Sequence, residues 1–100
     1  MKLLRKNALG PALRCARSAQ GVSQEDFGAV SSRTYVSQLE RGERHATLSK
    51  VDDLSEVLGL HPATVAALAY LPHPPDLPAI ERLLATVRAE LTSISTAGRA

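Results

Sequence analysis

The sequence predicts an all-α fold: five short helices forming one domain, followed by an additional C-terminal helix. Three observations predict it. Apolar residues recur at helical spacing through several short segments. Ser, Thr or Asp stands in front of most of these segments and Gly closes them, as helix caps require. The hydrophobic 44% of the chain is mainly Leu, Ala and Val, with 3% aromatic residues and no Trp, a composition that suits a small helical bundle. One hundred residues is a single-domain length, enough for one modest core.

Residues 1–7 carry Lys2, Arg5 and Lys6 without clear periodicity. They read either as a basic arm that contacts phosphates or a minor groove, or as a frayed, solvated terminus. The domain is placed at residues 8–71. Its first helix is expected from Pro11 to Gln20, with a turn before it from Ala8 and Gly21 as its stop. Leu9, Leu13 and Ala16 fall on one face and should enter the core, with Arg17 beside them. Ser23 is a natural N-cap, and Asp26 completes a capping-box-like pair, so a second helix is expected over about Gln24 to Ala29. Ser31 and Ser32 cap a third, about Arg33 to Arg41, which Gly42 ends in the left-handed conformation.

After a polar loop containing Arg44 and His45, Thr47 caps a fourth helix. Its Leu48, Val51, Leu54 and Leu58 repeat at helical spacing, and it stops at Gly59. Asp52, Asp53 and Glu56 read as its solvated face. His61 and Pro62 open a fifth helix, whose Val65, Leu68 and Ala69 complete the core. The prolines of Leu71 to Pro78 cannot be accommodated in one helix, so residues 72–76 are a stiff linker. Asp76 caps a last helix of about Leu77 to Ser93 within residues 77–94. Its Ile80, Leu84, Val87, Leu91 and Ile94 are spaced as the a and d positions of a coiled-coil seam, expected to dimerise or to fold back over its own domain. Residues 95–100 read as a flexible tail.

In the third helix, turning each residue by 100° sets Val36 and Leu39 at the centre of one face, with Tyr35 and Glu40 at its flanks. Thr34, Ser37, Gln38 and Arg41 share the opposite face, with Arg33 at its edge. All of these outward residues can present a donor or a small methyl group to the edge of a base pair.

The run S-Q-E-D-F at Ser23 to Phe27, the run R-T-Y-V-S-Q-L-E-R-G at Arg33 to Gly42 and the preceding L-R-C-A-R-S-A-Q-G-V at Leu13 to Val22 resemble the XRE/Cro-like helix-turn-helix regulators of bacteria and phage. The similarity extends through about Ala69. It implies a five-helix lambda-repressor-like DNA-binding domain, with Gln24 at the phosphate backbone, Arg33, Thr34, Ser37 and Gln38 in the major groove, and Arg41 and Arg44 on phosphates. It also marks Arg17 and Glu40 as a structural ion pair. Between Gln24 and Glu40 the chain is two residues shorter than the usual family pattern, so the first motif helix or the turn must be truncated.

Charge agrees with a nucleic-acid partner for one half of the chain. Residues 1–50 hold nine Lys and Arg against four Asp and Glu, whereas residues 51–100 hold three against six. Cys15 is alone, which rules out an intrachain disulfide and leaves either an inert thiol or a redox sensor. With His45, His61 and His73 it makes no zinc-ligand spacing, so no metal and no cofactor are expected. The chain shows neither a phosphate-binding glycine loop nor a nucleophile with a matching base, and no enzyme is expected. It has no apolar run of membrane-spanning length and no signal-peptide core, which predicts a cytoplasmic protein, nucleoid-associated when bound to DNA.

The expected function is therefore a transcriptional regulator, expected to be a repressor, that binds double-stranded DNA at an inverted-repeat operator as a homodimer. The alternative is an antitoxin-type module whose C-terminal segment contacts a partner protein.

Overall fold

A computed structural model describes residues 7–98. Residues 1–6 of the basic arm and the last two of the tail lie outside the described residues. The chain forms α1 (Leu9–Gln20), a single 3-10 turn (Gln24–Phe27), α2 (Arg33–Glu40), α3 (Leu48–Leu58), α4 (Pro62–Leu68) and α5 (Leu77–Ala97). No strand occurs among the described residues.

Local caps set most of these boundaries. The Ser23 hydroxyl accepts from the Asp26 amide at 3.2 Å while the Asp26 carboxylate accepts from the Ser23 amide at 2.8 Å, a complete capping box. Ser32, Thr47 and Asp76 each accept from the amide three residues on, which starts α2, α3 and α5. Gly21 and Gly59 end α1 and α3 with φ of 68° and 71°, a region that penalises any side chain.

Four boundaries differ from expectation. Helix α1 begins at Leu9, because Pro11 is then its third residue and its missing amide would have had no partner in the helix anyway. The 3-10 turn stops at Phe27 rather than near Ala29. There the amides of Val30 and Ser31 both turn back to the Phe27 carbonyl at 2.9 Å, and the buried Phe27 ring anchors the turn. The first motif helix is thus reduced to a single 3-10 turn of four residues. Helix α2 ends at Glu40, with Arg41 as its cap. Helix α5 runs on to Ala97, since nothing between Ile94 and Ala97 breaks it, so the tail expected from Ser95 is helical up to that point.

The core joins Leu13 and Ala16 of α1, Phe27, Val36 and Leu39 of α2, Val51, Leu54 and Leu58 of α3, and Val65 of α4. Leu9 and Leu68 only partly enter it. Leu48 does not: at 80% exposed it stands at the rim, because the first turn of α3 projects beyond the elements that cover Val51 and Leu54. The α1 and α4 ends are tied by the Ala8 amide, which donates to the Ala69 carbonyl at 2.8 Å.

Helix α1 crosses the end of α2 so closely that a Cβ on Gly10 would lie 2.3 Å from the Leu39 carbonyl oxygen and 2.9 Å from that of Glu40. Backbone cannot yield as a side chain can. Gly10→Ala should therefore destabilise the domain by about 1–3 kcal/mol, as overpacking of a tight contact does. Chemical denaturation checks this, and an unchanged midpoint would show that the two helices can separate without cost.

Helix α5 leaves the domain after its first turns. Ala79 is buried and Ile80 and Leu83 are half-buried, but Leu84, Val87, Leu91 and Ile94 are 54%, 40%, 61% and 67% exposed. In the single chain the helix does not fold back to cover the domain.

Candidate nucleic-acid interface

Helix α2 is oriented from beneath by a charged lock. Arg17 of α1 donates from Nε to Glu40 Oε2 at 2.7 Å and from Nη2 to Oε1 at 3.1 Å, and also holds the Val22 carbonyl at 3.2 Å. Gln24 adds a third donor to Glu40, at 3.0 Å. The side chains are 18% and 5% exposed, so the pair lies largely out of water. The hydrogen bonds that Arg17 donates to Glu40, together with the charge of that carboxylate, push the Arg17 guanidinium above its ordinary range despite the opposing effect of burial. A bidentate pair sets angle as well as distance, which fixes the end of α2 against α1.

Above that lock, Val36 and Leu39 point into the core while Thr34 is exposed and Ser37 and Gln38 are half-exposed. Arginines flank this polar face, and each is held by an acceptor. Arg33 pairs with Glu25 at 3.2 Å, with both side chains about two-thirds exposed. Arg41 makes a bidentate pair with Glu43, at 2.8 and 3.2 Å, and also reaches Ser37 Oγ. Arg44 donates to Gln38 Oε1 at 2.8 Å. The hydrogen bonds from Arg41 hold the Glu43 carboxyl below its ordinary range. That exposed pair therefore persists on mild acidification and is lost only as the pH falls through the lowered value.

Three contributors were missed in the sequence. Glu25 and Glu43 are acids at the edge of a face whose own helix positions carry none; Glu43 reaches Arg41 from two residues on, whereas only the folded chain brings Glu25 to Arg33. Lys50 of α3 is the third: its Nζ donates to the Val30 carbonyl at 2.8 Å and lies 5.4 Å from the Tyr35 ring centre, with Arg44 on the same ring at 5.9 Å. Lys50 thereby clamps the shortened turn to the start of α2. No residue-by-residue pattern would have paired Lys50 with a carbonyl twenty positions away.

Gln24 lies where a backbone-contacting residue would be placed, but one amide hydrogen is committed to Glu40, leaving the other free. His45 is exposed in the loop after α2. Among the described residues no group of His, Cys, Asp and Glu is arranged to hold a metal ion. No helix among them is long and apolar enough to cross a membrane.

Helix α2 thus carries a buried, locked flank beneath a polar face rimmed by arginines, and the helix-turn-helix family matches residues 13–65. The chain belongs to the XRE/Cro-like helix-turn-helix family. Solved structures agree. The restriction-modification controller protein C.AhdI from Aeromonas hydrophila is 33% identical over 58% of this chain and 91% of its own, with a TM-score of 0.54. The clp gene regulator ClgR from Corynebacterium glutamicum is 31% identical over 68% of this chain and 91% of its own, at 0.59. A second ClgR structure is 26% identical, also at 0.59, and spans 94% of this chain and 93% of its own, so that match reaches into α5. Among curated proteins none matches. As a member of this helix-turn-helix family the chain is a DNA-binding transcriptional regulator; the family and its solved relatives are regulators rather than enzymes.

Proposed function

We propose that this XRE-type regulator represses transcription by binding an inverted-repeat operator in double-stranded DNA as a homodimer. The observation that carries this reading is the α2 surface: Thr34, Ser37 and Gln38 outward, Arg33 and Arg41 at the two ends, and the opposite face locked by Arg17 and Glu40. Arg33, Thr34, Ser37 and Gln38 read base edges in the major groove. Arg41, Arg44 and Gln24 hold phosphates, and the N-terminal end of the 3-10 turn faces the backbone.

Docking exchanges the contacts seen in the free chain. Exposed ion pairs such as Arg33 with Glu25 are worth about 0–1 kcal/mol, so phosphate or base acceptors can displace the carboxylates at small cost. For Gln38 to engage adenine through both its oxygen and its nitrogen, Arg44 must first release the oxygen. Dimerisation rests on the seam of α5, where Leu84, Val87, Leu91 and Ile94 stand exposed beside the half-buried Ile80, an apolar stripe that a second copy would cover. The family match supports this regulator reading over the alternative of a module that only engages a partner protein.

Selection of bound fragments from a genomic library should enrich one palindromic sequence. Gln38→Ala or Arg33→Ala should then weaken binding to it by about 1–3 kcal/mol, if the side chain makes a bidentate base contact. Log affinity should fall steeply with log salt as released counterions dictate. Selection without an enriched sequence would rule out specific reading by α2.

A further inference from the structure

The charges flanking the α5 seam carry information about how two copies would meet. Leu77, Ile80, Leu84, Val87, Leu91 and Ile94 alternate as a and d positions along the helix, which places Glu81 and Arg88 on one flank of the seam and Leu83 and Glu90 on the other. Asp76, the N-cap, falls on the same flank as Leu83 and Glu90.

We infer that α5 pairs with α5 of a second copy in antiparallel orientation, Glu81 of each copy facing Arg88 of the other. This rests on the reading that α5 makes the homodimer. In antiparallel register Leu77 meets Ile94, Ile80 meets Leu91 and Leu84 meets Val87, each a against d, and two-fold symmetry repeats every layer without a leftover seam residue. The same register brings Glu81 to Arg88 twice. A parallel pair would set Asp76 against Glu81 and Leu83 against Arg88, which offers a like-charge contact, also made twice, and no opposite pair.

Orientation also decides where the domains go. Each domain joins its helix just before Leu77, with Ala79 buried against it. Opposed helices, rising 1.5 Å per residue, put the two Leu77 positions roughly 26 Å apart along the pair, at opposite ends. Parallel helices would put both domains at one end, each confined to the outer side of the pair because the helix axes lie only about 10 Å apart. The antiparallel pair thus seats one domain at each end, clear of the other.

The test uses full chains carrying Cys15→Ser. After Leu77→Cys and Ile94→Cys chains are mixed and allowed to exchange subunits, mild oxidation should join one of each, while Ile94→Cys alone should stay uncrosslinked. Separately, Glu81→Arg should weaken the dimer about 2- to 30-fold, the effect of losing two exposed ion pairs, and Glu81→Arg with Arg88→Glu should restore it. Crosslinking of Ile94→Cys with itself but not with Leu77→Cys would establish parallel helices and overturn the orientation while leaving the dimer intact. A full-length protein that sediments as a monomer at high micromolar concentration would overturn the orientation and the α5 dimer together. Dimerisation unaffected by either charge substitution would remove the Glu81 to Arg88 contact.

Discussion

Glu40→Ala should lower the stability of the domain by about 3–5 kcal/mol, the usual cost of removing one partner from a buried pair. The loss has an identifiable source. Arg17 would keep its bond to the Val22 carbonyl but lose both contacts to carboxylate oxygen in a place that is mostly closed to water. Gln24 would lose its acceptor as well. Because Arg17 retains some exposure, water can recover part of this, which places the result toward the lower end. For a domain of this size each kcal/mol shifts the melting temperature by roughly 4–8 °C, so the fall should exceed about 10 °C. The milder substitution Glu40→Gln keeps one acceptor and should lose less. A Glu40→Ala protein that melts like the wild type yet no longer binds DNA would show that Glu40 acts at the ligand rather than in the lock.

Leu84→Glu together with Leu91→Glu should convert the proposed dimer to a monomer and weaken operator binding by about 10²–10⁴, the gain that linking two binding modules ordinarily supplies. Both positions lie on the exposed seam, 54% and 61% accessible in the single chain, so the substitutions should leave residues 8–70 folded. Sedimentation reads the first effect and binding to the selected operator reads the second. A dimer that survives both charges would place the interface away from α5.

The helix caps were legible because capping is local. Ser23 with Asp26, Ser32, Thr47, Asp76 and the glycines at positions 21, 42 and 59 act on amides and carbonyls within a few residues of themselves. The buried stripe of α2 was legible for the same reason, since 3.6-residue periodicity relates neighbours along one helix. Leu48 had that periodicity and still stands in water, because periodicity says which residues share a face but not how far the covering elements extend.

The sequence by itself determined the all-α class, the order of the helices, the polar face of α2 and the seam of α5, all products of short-range spacing. Only the tertiary structure decided that the first motif helix is a single 3-10 turn, that Gly10 admits no side chain, that Lys50 holds Val30, and that Glu25 pairs with Arg33 beside the polar face of α2. Each of these depends either on a contact that chain closure creates or on the geometry of a turn too short for propensity to resolve, and neither leaves a periodic trace in the chain.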